Sequence, residues 1–195
     1  MEPRDIERIR ASAGYLVDRH AMCWIRNLEN PLGEVWQTVS TLEGLRKWWI
    51  TPGCTTAFEL KPGGTLAHHW TNTVERFQEG EYIDFGGYPG ALVGTGGMRF
   101  ELVALGRERT RFLFLDTWGP DAQPGRGAPD QVAQPGGLGT PWSGVAAGWH
   151  CMLDQLEVVL GRATAVPSYE ELCTFYARHL AELYRWREMV QRASS

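Results

Sequence analysis

Apolar residues recur at three- and four-residue steps through Val145, Trp149, Met152, Leu153, Leu156, Val159 and Leu160, which predicts one long helix over residues 142–160. His150, Asp154 and Glu157 fall on its polar side, and the spacing alone turns His150 and Asp154 toward solvent or the C-terminal segment. Pro141 suits the first turn, Thr140 or Ser143 the cap, and Gly161 the left-handed stop. Upstream the period is two. Strands are predicted at 14–17, 22–28, 55–60, 65–71, 73–78, 81–85, 98–105 and 109–118, most of them joined by Gly-bearing turns. Between the second and third of these, Val35, Trp36 and Val39 mark a short helix, and Ser40 with Glu43 has the spacing of a capping box that opens another carrying Leu42, Leu45, Trp48 and Trp49. The pattern describes a curved antiparallel sheet gripping one helix.

Two further helices flank this unit. Residues 2–10 form a short charged one with Ile6 and Ile9 as its apolar anchors. After Pro167, Ser168 with Glu171 repeats the capping-box spacing and opens a helix whose band runs through Leu172, Phe175, Tyr176, His179, Leu180, Leu183, Tyr184 and Val190. A band that wide covers its own domain or serves as a homodimer interface. Residues 119–140, rich in Pro and Gly, hold no core element; a lid over one end of the grip and a plain insertion are the two readings.

Composition narrows the function classes. At 195 residues the chain suits one main domain, divided here into an N-terminal segment 1–13, the sheet-and-helix unit 14–161 and a C-terminal helical extension 162–195. A net charge of -4 without a basic cluster argues against nucleic acid. The start MEPRDIERIR has no apolar core of a signal peptide and no run of 18 apolar residues occurs, so no membrane span and a cytoplasmic location are expected. Cys23, Cys54, Cys151 and Cys173 form no CxxC pair and read as free thiols. Nine tryptophans mark a thick core or an aromatic-lined pocket.

Four stretches carry a family resemblance. NPLGEVWQTVSTLEGLRKWW at 30–49 resembles the opening of the activator of heat shock protein 90 ATPase homologues, within the START-like or SRPBCC helix-grip superfamily. The turn FELKPGG at 58–64, the strand RTRFLFLDTW at 109–118 and the helix AAGWHCMLDQLEVVLG at 146–161 follow in matching order. The resemblance implies an α+β helix-grip fold: six or seven antiparallel strands around the C-terminal helix, two short helices closing one end, and an apolar cavity between. The long Pro/Gly loop and the extra C-terminal helix depart from that pattern, and residues 1–13 do not resemble a chaperone-binding domain, so such a separate domain is not expected.

Alternation sends Trp24, Arg26, Phe58, His68, Trp70, Phe112, Phe114, Asp116 and Trp118 to the inner face, joined by Trp149 of the long helix, while the strand phase of Tyr82 is ambiguous. This is the candidate ligand-binding set: aromatic walls with a few polar groups that orient a mostly apolar molecule. A buried Arg26–Asp116 ion pair is the structural alternative. His68 and Asp116 are the candidate acid/base pair for a cyclase or dehydratase acting on aromatic or polyketide substrates. His68 and His69 point to opposite faces, so no shared metal is expected, and no cofactor signature is present. The leading reading is a noncatalytic carrier or sensor of a small apolar molecule; a co-chaperone-like module with a chaperone partner is the second, and the enzyme the third.

Overall fold

The computed structural model describes residues 3–18, 21–50, 53–68, 71–86, 96–117, 141–162 and 166–193. Trp70, Trp118, the Thr140 cap and the 119–140 loop therefore lie outside the described residues. In chain order the elements are α1 (Pro3–Ser12), β1 (Tyr15–Asp18), β2 (Ala21–Leu28), α2 (Leu32–Ser40), α3 (Leu42–Trp48), β3 (Ala57–Phe58), β4 (Thr65–Ala67), β5 (Thr71–Gln78), β6 (Tyr82–Gly86), β7 (Gly97–Gly106), β8 (Arg109–Thr117), α4 (Pro141–Val159) and α5 (Tyr169–Ala193). The strands make one antiparallel sheet in the order β1-β2-β8-β7-β6-β5-β4-β3. α2 and α3 carry the chain from β2 to the far edge, and the meander β3–β8 returns to pair with β2. The concave face of this sheet holds α4, which is the helix-grip arrangement.

Several details differ from the sequence pattern. The sheet has the eight strands that alternation predicts, more than the six or seven the family resemblance implies, because β1 and the two-residue β3 each extend an edge. The predicted strand 65–71 is two pieces: β4 stops at Ala67 and β5 begins at Thr71. The cap of α3 is Thr41, whose Oγ1 accepts from Gly44 N–H at 3.0 Å, and not Ser40, which is still inside α2.

Other signals act as predicted. Gly161, at φ +88, ends α4; its N–H bonds Val158 O at 3.0 Å and Arg162 N–H bonds Glu157 O at 2.9 Å, closing the last turn. The Ser168–Glu171 box opens α5: Ser168 N–H reaches Glu171 Oε2 at 2.9 Å and Glu171 N–H reaches Ser168 Oγ at 3.2 Å. Leu172, Phe175, Tyr176 and Leu180 of α5 are buried against the rest of the chain, so this part of its apolar band is used within the molecule. Ile9 of α1 is buried in the same core.

Candidate functional site

Strand register places the predicted inner residues. Trp24 lies opposite Phe114, Arg26 opposite Phe112 and Met22 opposite Asp116 on β2 and β8; across β7, Phe100 meets Phe114 and Met98 meets Asp116. All of these side chains are buried. Phe58, at the far edge, packs on Phe85 with ring centroids 6.3 Å apart. Tyr82 belongs to the outer face, since β6 turns Ile83 and Phe85 inward; the Arg99 guanidinium sits 4.3 Å from the Tyr82 ring centroid. That geometry takes Tyr82 out of the interior group.

The space between sheet and α4 is filled by rings centred on Trp49. Its indole stacks on Trp149 at 5.5 Å and 28°, and meets Phe100, Trp48, His68 and Phe114 edge-on at 5.2, 5.4, 5.9 and 6.2 Å. Such pairs add about 0.5–1.5 kcal/mol each beyond the area they bury. Trp49 arrives there because α3 stops at Trp48 and the chain turns through Ile50, whose φ of 59 is the left-handed region. For a β-branched residue that conformation costs roughly 1–2 kcal/mol. Trp24, Trp48 and Trp149 each donate the indole N–H, to Tyr176 Oη, Thr38 O and Asp116 Oδ2. Trp49 Nε1 is buried with no acceptor among the described residues, at a cost of about 1–3 kcal/mol.

At one end of this aromatic block three polar side chains reach inward. Asp116 is fully buried and accepts from Trp149 Nε1 at 2.7 Å. His68 follows β4, with Nε2 3.1 Å from Asn72 Oδ1, and Asn72 Nδ2 donates to Gly86 O at 3.5 Å. His68 and Asp116 thus both touch the Trp49–Trp149 pair.

Arg26 serves a different centre. Asp116 is opposite Met22, so Arg26 sits four residues further along its strand, about 13 Å away, and the predicted Arg26–Asp116 ion pair does not form. Instead Arg26 Nη2 bonds Asp154 Oδ1 at 3.1 Å, its Nε lies 3.2 Å from Glu157 Oε1 but off the line of a hydrogen bond, and Nη1 donates to Ser12 O at 2.7 Å. His150 and Asp154 are buried, so of the two expected positions solvent is excluded, and His150 meets the C-terminal segment through Tyr176; Glu157 is buried as well, because α1, β2 and α5 close over that side of α4. Glu157 also meets Arg162 at 2.9 Å.

Hydrogen-bond accounting fixes the protons here. Tyr176 Oη accepts from Gly14 N–H and Trp24 Nε1–H, both at 2.9 Å, so its own proton goes to His150 Nδ1, also 2.9 Å away. His150 Nε2 then carries the hydrogen and donates to Ser12 Oγ at 3.1 Å, whose proton passes to Arg8 O. A protonated His150 would aim a second donor at an oxygen already accepting twice. Burial first, then Arg26 and Arg8, push its pKa down to about 3, so its 3.5 Å approach to Asp154 is not an ion pair. Burial raises Asp154 and Glu157, opposed by Arg26, and lifts Tyr176 to about 12. A cleft of about 400 Å³ between α1, β2 and α4 opens onto these groups. Its polar side chains bond chiefly one another. Among the described residues no group of three or more His, Cys, Asp or Glu is placed to hold a metal ion.

No protein-family model matches the chain, and no curated protein matches it in sequence. Solved structures do match. A conserved protein of unknown function from Enterococcus faecalis is 16% identical with a TM-score of 0.65, covering 91% of this chain and 94% of that one. CalU16 from Micromonospora echinospora is 15% identical, with a TM-score of 0.60 over 84% and 87% of the two chains. An HSP90 activator from Plasmodium falciparum is 13% identical, with a TM-score of 0.55 over 73% and 96%. The chain has the helix-grip fold. At these identities the likeness carries the fold, and function has to be argued from the side chains.

Proposed function

We propose that the protein binds a small, largely apolar molecule inside the grip, at the end where His68, Asn72 and Asp116 approach the Trp49–Trp149 stack. The observation that carries this reading is a carboxylate buried among rings. Asp116 is fully buried on the same strand face as Phe114 and accepts from Trp149 Nε1 at 2.7 Å. Burying an ionisable group is costly; a leucine of similar volume would avoid that cost but would leave the Trp149 indole N–H without its acceptor, at about 1–3 kcal/mol. A convergent polar group inside an aromatic shell is what orients a ligand whose binding energy is mostly apolar. The ligand class that fits carries one hydroxyl or N–H to donate to Asp116 and flat apolar surface for the indoles.

Native mass spectrometry of freshly isolated protein, followed by thermal-shift screening with fatty acids, sterols and aromatic polyketides, tests this. Binding should be lost, by at least about tenfold, in Asp116→Leu while that variant stays folded. Absence of a bound mass and of any shift across the panel would refute small-molecule binding; equal affinity in Asp116→Leu would remove Asp116 from the site.

A further inference from the structure

The rings around Trp49 define a slot of one bicyclic aromatic: Trp149 below at 5.5 Å, Phe100, Trp48, His68 and Phe114 along its edges. Trp49 fills that slot. Two features separate it from a tryptophan selected only for core packing. Its indole N–H is buried without an acceptor among the described residues, where the neighbouring Trp48 and Trp149 both donate. The turn that brings it there also holds the next residue, β-branched Ile50, in the left-handed region at φ 59. Both features accompany the inserted indole. Local strain held in place by surrounding packing is a mark of functional segments. Trp48 stays anchored through its bond to Thr38 O, at 3.1 Å, so the movement is confined to Trp49 and Ile50.

We infer that Trp49 is a displaceable occupant of the ligand seat, and that the ligand is a planar two-ring aromatic which replaces its indole against Trp149 and turns a hydroxyl or ring N–H toward Asp116. This rests on the proposed binding of a small molecule inside the grip, and it adds the ligand's shape and the residue that yields to it. The ligand restores the ring contacts that the departing indole gives up. It removes the orphaned N–H and the left-handed isoleucine.

The probe is 2-naphthol, which has two fused rings and one hydroxyl. The full chain is labelled with 5-fluorotryptophan, and the Trp49 fluorine resonance is assigned by its loss in Trp49→Phe. At saturating 2-naphthol that resonance should move to the position of solvent-exposed fluorotryptophan and broaden with a soluble gadolinium chelate. Ile50→Gly adopts the same φ without penalty, favours the inserted state and should weaken 2-naphthol about 5- to 30-fold, the equivalent of the left-handed cost. Trp49→Leu, which empties the slot, should bind it more tightly than the natural chain. Saturation with the Trp49 resonance unmoved, or an unchanged Kd in Ile50→Gly, overturns displacement. So does a failure of 2-naphthol to bind either the natural chain or Trp49→Leu. A fatty acid or sterol that binds with Trp49 in place overturns displacement while leaving small-molecule binding standing; a panel with no ligand at all sinks both.

Discussion

Lowering the pH should remove stability through His150, and the size of the effect follows from its surroundings. The imidazole is buried, accepts from Tyr176 and donates to Ser12, and its pKa falls from 6.5 to about 3. The folded pKa is depressed below the unfolded one, so between these values the unfolded chain binds more protons. The stabilisation is complete above pH 6.5 and is lost as the pH falls toward 3. Each unit is worth about 1.36 kcal/mol, so at about pH 4.5 roughly 3 kcal/mol of stability is gone. Asp154 and Glu157 run the other way: their folded pKa values are raised, so their contribution is present at low pH and fades as the pH rises through those values. A difference measurement separates the two. In His150→Gln the amide oxygen accepts from Tyr176 and the amide nitrogen donates to Ser12 without titrating. Urea unfolding of both proteins should give a stability difference that is flat above about pH 7.5 and shrinks by roughly 1.4 kcal/mol per unit between pH 6 and pH 4. A difference that stays constant from pH 8 to pH 4 would refute the buried neutral histidine and the proton order built on it.

Arg26→Met should destabilise the protein by about 3–5 kcal/mol, since Asp154 remains buried without Arg26 and Glu157 keeps only Arg162. The defect should diminish as the pH is lowered and the two carboxyls protonate, and the triple variant with Asp154→Asn and Glu157→Gln should recover most of the loss; urea midpoints at pH 7 and pH 5 check both points. Ser168→Ala removes the acceptor for Glu171 N–H at the start of α5 and should cost about 1 kcal/mol in the same assay.

Period-two alternation made the inner faces of β2 and β8 legible. Trp24, Arg26, Phe112, Phe114 and Asp116 point inward because each strand is long enough for the alternation to be unambiguous. Tyr82 was not legible for the opposite reason: β6 is five residues with apolar side chains at Tyr82, Ile83 and Phe85, and only its pairing with β7 selects the face. His150 and Asp154 on the polar side of α4 could be read only as facing solvent or the C-terminal segment, because burial there depends on α1 and α5, which lie far apart in the sequence. The demand was visible in Arg26, an inward cation that needed a carboxylate, but the partner was a matter of register. Trp49 read as part of a helix face. Its place at the centre depends on Ile50 taking a backbone conformation that no isoleucine advertises.

The polar back of α4 bears on its aromatic front because Trp149 and His150 are adjacent residues, about 100° apart around the same helix. Arg26 holds Asp154 and Glu157, and Tyr176 holds His150; together they fix the rotation of α4 about its axis. That rotation aims Trp149 at Asp116 and at the face of Trp49. Tyr176 acts on the sheet as well, since the same oxygen receives Trp24 Nε1–H and Gly14 N–H. Gly14 has to be glycine there: a Cβ would run into the Trp24 ring. One hydroxyl of α5 therefore sets the helix and the first inner strand against each other, and the orientation of the rings in front is decided by hydrogen bonds made behind them.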